Sequence, residues 1–388
     1  MASSVAITGI SMVTSLGAGL NENWSALLQG SSKFTQVCYA TDAYPGISTG
    51  YGASLAGDLA EIPAFTRRLL PTMSRESTLV SKLGYLAWQD ARLAKDAMPP
   101  QNVGVIVGTT SAGLDMYAGG LRDSLTLGPR KVRPAHTAQG SINAVASELS
   151  ISARAEGHIA TVTSERCSGT DALIVAADQI LTGRLTIALV AAVDLLTPLS
   201  AESSATTPKL FAEKPEEAPQ GEAAIVLVVE DAEHARARGA RIHIAISSWS
   251  TAHGGKDPSP TIRVMRSALQ SAGLKPDEIG LVSSSAAGLR GVDDVEERAI
   301  HALIGMNTPA FSPFGALGNC NATTGLLQLA FTAQALRLSC VPPTSGLAHR
   351  PVSLLPVSPQ SQPFEGSTSL VVTSDSLGHA TAIVARTP

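Results

Sequence analysis

Residues 5–32 read VAITGISMVTSLGAGLNENWSALLQGSS. The run Val5–Ile10 is almost continuously apolar, which is typical of a strand covered on both faces of its sheet. Past a glycine-containing turn, the stretch Asn21–Gln29 predicts a helix. A buried strand followed by a helix is the repeating unit of layered α/β folds.

The same alternation continues along the chain and predicts an α/β fold. Further strands are predicted at Val103–Val107, His158–Val162, Leu185–Val190, Ala223–Val229, Ile242–Ile246, Ile279–Val282, Ser369–Thr373 and Ala382–Ala385. Further helices are predicted at Ser77–Leu93, Asp171–Thr182, Ser259–Ala272, Val295–Ile304 and Gly325–Arg337.

Two polar segments interrupt this alternation. Residues 201–220 read AESSATTPKLFAEKPEEAPQ, and proline and serine are frequent over residues 342–366. The strand and helix signals restart near Arg241. We therefore expect two similar halves, residues 1–240 and residues 241–388, although no sequence repeat of fixed period links them.

The composition excludes several classes of function. The 388 residues hold 28 Lys and Arg against 32 Asp and Glu, a net charge of −4, which gives no electrostatic footprint for nucleic acid. Apolar residues make up 44% of the chain and charged residues 15%. This shortage of charge predicts a large core or an extensive interface with another chain.

Localisation is predicted from three further features. The cysteines, Cys38, Cys167, Cys320 and Cys340, have no paired spacing and are typical of reduced thiols. The first residues lack a basic segment followed by an apolar one, so no signal peptide is expected. No apolar run is long enough to span a membrane. The expected location is the cytoplasm.

Three segments together resemble the β-ketoacyl synthase family. They are residues 5–32, Met73–Ala91 (MSRESTLVSKLGYLAWQDA) and Gln220–His243 (QGEAAIVLVVEDAEHARARGARIH). The resemblance implies the thiolase fold, five layers in the order α-β-α-β-α, built from two pseudo-equivalent halves that dimerise. It also implies condensation of an acyl chain with a malonyl group on acyl carrier protein, using a cysteine nucleophile, two histidines and a lysine.

The nucleophile motif of the family corresponds to Thr163–Leu173, which reads TSERCSGTDAL. Alignment on Gly169 places Arg166 at the cysteine position, and an arginine cannot lose its proton and attack a thioester near neutral pH. Cys167 follows directly, as a nucleophile displaced by one residue or as a small buried thiol. The segment resembles the chain length factors of type II polyketide synthases more closely, through Glu165, Gly169, Asp171 and Ala172.

The remaining catalytic positions have also changed. Ile279–Leu289 reads IGLVSSSAAGL and places Ser285 at the first histidine, followed by Asp294 and Glu297 in the acidic positions of the motif. Phe314–Gly325 reads FGALGNCNATTG and places Phe314 at the lysine and Asn319 at the second histidine. The C-terminal gating loop becomes SDSLGH over Ser374–His379, with Asp375 in place of phenylalanine.

A helix near residues 112–122 resembles the chain-length-factor segment that meets the acyl tunnel of the partner. Bulky side chains there would limit how far the chain grows, or would only pack in the interface. The candidates are Leu114, Met116, Tyr117 and Leu121.

These features predict a non-catalytic chain-length-factor subunit that pairs with an active ketosynthase as a heterodimer. The complex would act on the acyl chain held by acyl carrier protein, in polyketide or polyene biosynthesis. One alternative is an active acyltransferase or condensing enzyme that uses Cys167; another is a scaffold or carrier-protein-binding module. No cofactor is expected, and no metal, because the eight histidines show no ligand spacing.

Overall fold

The structure, a computed structural model, describes residues 4–37, 50–56, 72–94, 98–197, 219–254, 257–289, 291–347 and 353–388. Most of the predicted loop 201–220 lies outside these residues, as do Cys38, His349 and residues 348–352 of the second polar segment.

The described strands, numbered along the chain, are β1 Val5–Thr14, β2 Gly17–Ala18, β3 Thr35–Val37, β4 Gly50–Ala53, β5 Val103–Gly108, β6 Ile159–Val162, β7 Ile187–Asp194, β8 Gln220–Gly221, β9 Ala223–Asp231, β10 Ile244–His253, β11 Leu281–Ser284, β12 Ala310–Phe311, β13 Cys340–Val341, β14 Gln362–Pro363, β15 Thr368–Ser374 and β16 His379–Arg386.

The described α-helices are α1 Leu20–Leu28, α2 Arg75–Asp90, α3 Leu114–Leu127, α4 Pro134–Gln139, α5 Ala144–Ala153, α6 Ser168–Leu181, α7 Ala232–Ala237, α8 Pro258–Ala272, α9 Val292–Leu303, α10 Phe314–Leu317 and α11 Thr324–Leu338. Short 3₁₀ turns occur at Pro100–Asn102, Pro129–Lys131, Glu165–Cys167, Pro276–Glu278 and Asn321–Thr323.

Every strand and helix that the sequence predicted is present, with shifted ends. The largest extension is in β10, predicted to end at Ile246 but continuing to His253. Its outer part alternates buried and less buried residues, so the apolar run stops early. Pairing with β16 as far as His379 keeps this part of β10 in the sheet.

The two halves of the main sheet have the same strand order. It runs β1-β9-β7-β5-β6 in the first half and β10-β16-β15-β11-β12 in the second. In each half the first two pairings are antiparallel and the last two parallel. Short antiparallel pairing of Val5–Ile7 with Ile244–Ile246 joins the halves. This repeat confirms two pseudo-equivalent halves; the boundary predicted between residues 240 and 241 remains a prediction.

Helices cover the two half-sheets and separate them. Helices α6 and α11 contact each other, and each packs on a different half-sheet, which makes them the central layer. Helices α2 and α5 pack on the outer face of the first half-sheet, and α8 and α9 on that of the second. The five layers α-β-α-β-α are those of the thiolase fold. Strands β1 and β7 are buried along their whole length because helices lie on both faces.

Within the described ranges, no helix combines the length and the hydropathy needed to cross a bilayer.

Candidate functional site

The turn before α6 places Arg166 in the interior. It lies in the 3₁₀ turn Glu165–Cys167, and its side chain is fully buried. One guanidinium nitrogen donates to the carbonyl oxygen of Ser374 at 3.0 Å, and another donates to that of Ser285. The buried guanidinium of Arg166 is therefore paired with two backbone carbonyls. These hydrogen bonds offset much of the cost of burying a guanidinium.

Ser285, predicted at the first histidine position, follows β11 and is fully buried beside Arg166. The carboxylate of Glu296 accepts from the Ser285 backbone N–H at 2.8 Å, from the Ser284 hydroxyl at 2.6 Å and from the Ser285 hydroxyl. The Ser285 hydroxyl also accepts from the Ser374 N–H at 3.1 Å. Ser285 is therefore held by hydrogen bonds through both its backbone N–H and its hydroxyl.

Glu296 is a fully buried acid whose pKa is raised by desolvation. Hydrogen bonds from Ser284 and Ser285, and the charge of Arg166, act in the opposite direction but do not cancel it. A raised pKa favours the protonated carboxyl, which can itself donate to the Ser285 hydroxyl.

The alignment of the two acids that follow Ser285 was wrong by one residue. Asp294 is exposed, and Glu297 accepts from the Leu354 N–H at 3.2 Å. Asp293 and Glu296 reach the site instead, because they lie three residues apart on the buried face of α9. The Asp293 carboxylate accepts from the N–H of Gly288 at 2.7 Å, which holds the loop after Ser285.

Phe314 and Asn319 have structural roles. Phe314, which the sequence aligns with the lysine, is buried in the apolar core between the half-sheets. Asn319 donates from its amide to the side-chain oxygen of Asn321 at 3.0 Å and from its backbone to Pro219 at 2.7 Å. The turn Asn321–Thr323 contacts the turn that carries Arg166. The loop is thus in place. Where the sequence alignment expects a histidine, the Asn319 amide pairs with Asn321 of the adjoining turn.

Asp194, at the end of β7, was missed by the sequence reasoning. It is buried and accepts from the Ala322 N–H at 2.9 Å, from the Thr109 hydroxyl at 3.0 Å and from the Ser111 N–H at 3.0 Å. It thereby joins the loop after β5 to the loop that contains Asn319. The available signal was an acid that ends a continuously apolar strand, where a buried carboxylate needs several donors.

Cys167 is fully buried, and its thiol lies 3.5 Å from the carbonyl oxygen of Thr373. Burial, with the charges of Asp375 and Asp171, raises the pKa of this thiol well above its ordinary value. The thiolate is the nucleophilic form, so Cys167 is poorly suited to attack a thioester near neutral pH.

The hairpin between β15 and β16, residues 374–379, is held next to Arg166 by hydrogen bonds. The carboxylate of Glu165 accepts from the Ser376 N–H at 3.1 Å and from its hydroxyl at 2.7 Å. Asp375 accepts from the N–H groups of Leu377 and His379 at 2.9 and 2.8 Å. Asp375 therefore shapes the hairpin, in the position that the family gives to a gating phenylalanine.

In the described part of the chain, one group of side chains has the make-up of a metal site: Cys167, Asp375 and His379. Its members come from two distant segments, so the spacing of histidines along the chain gave no sign of it.

The four predicted tunnel or interface residues lie on α3. Tyr117 is 60% exposed, Leu121 50% and Leu114 37%, whereas Met116 is half-buried. With Leu125, which is 77% exposed, Leu114, Tyr117 and Leu121 form one stripe along the helix, the α3 stripe. A stripe of large apolar side chains facing water is typical of a surface that another molecule covers.

Strand β6 forms one end of the main sheet. Among the described strands none pairs with its outer edge, and Ile159 at its start is 43% exposed. An open edge of this kind can pair with a strand of another chain.

The geometry fits the family that the sequence resembles, and comparisons with known proteins agree. The N-terminal domain model of β-ketoacyl synthases matches residues 2–230, and the C-terminal domain model matches residues 242–348. The chain therefore belongs to the β-ketoacyl synthase family.

The similar proteins include polyketide ketosynthases. The actinorhodin polyketide putative β-ketoacyl synthase 2 of Streptomyces coelicolor is 27% identical over 90% of this chain and 89% of its own length. The tetracenomycin polyketide synthase ketoacyl synthase beta subunit of Streptomyces glaucescens is 27% identical over 98% of each chain. The solved ishigamide ketosynthase/chain length factor has a TM-score of 0.89 at 22% identity, covering all of both chains.

Proposed function

We propose that this chain is a non-catalytic chain-length-factor subunit that pairs with an active ketosynthase. The observation that carries the proposal is Arg166, which is buried and hydrogen-bonded and which the sequence aligns with the nucleophile. A guanidinium keeps its proton at any pH a cell experiences, so it offers no lone pair to a thioester carbon.

The rest of the constellation supports the same conclusion. Decarboxylative condensation needs imidazoles that donate to a developing enolate and a thiolate that holds the acyl group. Ser285 is held by Glu296, and Asn319 by its own turn. Because catalytic groups act as a unit, loss of one already costs orders of magnitude in rate, and here several are replaced together.

Two surfaces favour association with a second subunit. The open edge of β6 offers backbone hydrogen-bonding groups, and the α3 stripe offers apolar area. Burying large apolar side chains stabilises an interface by about 1.5–3 kcal/mol each when they become fully covered. We propose an active ketosynthase as the occupant, since a chain without the nucleophile needs one to contribute to condensation.

The α3 residues would also set product length. We propose that Leu114, Met116, Tyr117 and Leu121 lie against the far end of the partner's acyl tunnel. Close-packed walls resist another methylene, so the barrier to a further cycle would be steric. The substrate would be an acyl chain on acyl carrier protein that is elongated into a polyketide or polyene, handled in the cytoplasm.

The alternative is an active acyltransferase or condensing enzyme that uses Cys167, and the nearness of His379 to the thiol favours it. The burial and raised pKa of the thiol oppose it. A scaffold or carrier-protein-binding module, the third candidate, would keep the interface without influencing the tunnel.

The experiment is co-expression with an active ketosynthase, followed by mass spectrometry of carrier-bound products. We expect a stable 1:1 complex and, for Met116→Ala and Tyr117→Ala, longer products, because each added buried CH₂ gains about 0.8 kcal/mol in the space that opens. The control is Met306→Ala, because Met306 is exposed and lies beyond the end of α9. This variant should leave the product length unchanged. Unchanged product length for alanine variants of Leu114, Met116, Tyr117 and Leu121, in complexes that still assemble, would leave only the scaffold function.

A further inference from the structure

The hairpin between β15 and β16 meets the turn before α6 at three side chains with different metal-binding groups. The thiol sulfur of Cys167, a carboxylate oxygen of Asp375 and a ring nitrogen of His379 all lie within 4.8 Å of one another. Cys167 and Asp375 are buried, and His379 is partly exposed, so the group opens toward the surface on one side.

The ligand types match one class of ion. Thiolate, imidazole and carboxylate together are the ligands of Zn²⁺, whereas Mg²⁺ and Ca²⁺ take oxygen ligands. Around a tetrahedral zinc, with bonds of about 2.0–2.3 Å, ligand atoms lie roughly 3.3–3.8 Å apart. The group therefore needs a contraction of about 1.5 Å at most, within reach of side-chain rotation.

His379 is oriented by a second layer of polar groups. Its Nε2 lies 2.6 Å from the Thr251 hydroxyl and 3.6 Å from the Asp171 carboxylate. The carboxylate favours the tautomer with hydrogen on Nε2, which leaves the lone pair on Nδ1. A histidine whose second nitrogen is paired in this way is the usual arrangement at protein zinc sites.

Asp375 is oriented as well. Its Oδ1 accepts from the N–H groups of Leu377 and His379, which directs Oδ2 away from the hairpin backbone. The carboxylate is fixed before any metal arrives, so little side-chain entropy is lost on binding.

We propose that Cys167, Asp375 and His379 bind a zinc-class divalent ion, with water in the fourth position. On binding, the Cys167 thiol releases one proton and the thiolate forms a bond to the metal. The thiolate and the Asp375 carboxylate then balance the two positive charges. The site would be structural: it ties the C-terminal hairpin to the turn that carries Arg166.

The site does not depend on the proposed pairing with a ketosynthase. It would also occupy Cys167 as a ligand, which makes the cysteine unavailable as a nucleophile. Metal binding and product length can therefore succeed or fail separately.

The experiment is titration of metal-free protein with Co²⁺ and with Zn²⁺. Absorption spectroscopy follows the thiolate-to-cobalt charge-transfer band, and a chromogenic chelator competes for Zn²⁺. We expect one ion per chain, the charge-transfer band and a higher melting temperature with metal. His379→Gln should weaken Zn²⁺ binding by at least about 100-fold, and Asp171→Asn by about 10–100-fold.

Matched controls separate the site from other thiols and imidazoles. Cys340→Ser and His301→Gln change residues outside the group and should bind like the wild type. Cys167→Ser should abolish the charge-transfer band, and the partly exposed His379 provides the second variant if the buried one fails to fold. No uptake by the wild type at micromolar metal, or equal uptake by His379→Gln, would overturn the proposal.

Discussion

The interior around Arg166 and the surface of α3 are opposites. Around Arg166, polar groups are buried and joined by hydrogen bonds through Ser285, Glu296 and Ser374. Along the α3 stripe, large apolar side chains face water with little to cover them. An active ketosynthase needs the reverse in its interior, namely catalytic groups whose hydrogen-bonding capacity is available to a substrate.

This difference indicates where the chain contributes to function. A satisfied polar network holds a fold in place, because any departure leaves buried groups unpaired. An exposed apolar stripe gains free energy only when another surface covers it. Under the proposed function, the interior maintains the fold and the surface of α3 contributes by association.

The largest expected effect is on association. Tyr117→Asp places a charge in the middle of the α3 stripe, and desolvating that charge in an interface should weaken the complex with the ketosynthase by about 3 kcal/mol, roughly 100-fold. Isothermal titration calorimetry measures the change. Met306→Asp adds the same charge at an exposed apolar residue outside the stripe and should leave the affinity unchanged. Equal weakening of the complex by Tyr117→Asp and Met306→Asp would contradict a special role of the α3 stripe in association.

A somewhat smaller effect is expected on stability in the interior. Arg166→Ala leaves the carbonyls of Ser285 and Ser374 without their donor and opens a cavity. The free energy of unfolding should therefore fall by slightly less than about 3 kcal/mol. Chemical denaturation is the measurement, with exposed Arg184→Ala as the control. An unchanged unfolding midpoint for Arg166→Ala would mean that the network contributes little.

The sequence predicted the fold because several of its strands are continuously apolar and alternate with helical stretches. The alignment of Arg166, Ser285, Phe314 and Asn319 with the catalytic positions of the family remains a prediction. The sequence could not locate Glu296 correctly, because adjacent acids in VDDVEERAI look alike until the helix buries one face. Asp194, and the meeting of Cys167 with His379, depend on contacts between distant segments that no local pattern encodes.

A smaller effect concerns Asp115, which lies in α3 beside the stripe. Desolvation, aided by the charge of Glu76, raises its pKa to about 6. Between its ordinary value and about 6, the folded chain holds a proton that the unfolded chain has released, so the free energy of unfolding falls as pH rises. Asp115→Asn, neutral throughout, should remove this fall and stabilise the chain near neutral pH by about 1 kcal/mol after solvent screening.

The same group provides a pH test of the interface. A partner that covers α3 would bury Asp115 further and favour its protonated form, so affinity should increase as pH falls through about 6. Asp115→Asn should flatten this dependence. A wild-type affinity that does not change across this range would place Asp115 outside the interface.

The most direct test of the central claim compares two cysteines in the reconstituted complex. Cys167→Ala in this chain and cysteine-to-alanine at the partner's nucleophile are assayed in parallel for carrier-bound products, with assembly checked by size-exclusion chromatography. The account predicts unchanged condensation for Cys167→Ala and loss of condensation for the partner variant. Loss of condensation in an intact complex with Cys167→Ala would contradict it and identify Cys167 as the nucleophile.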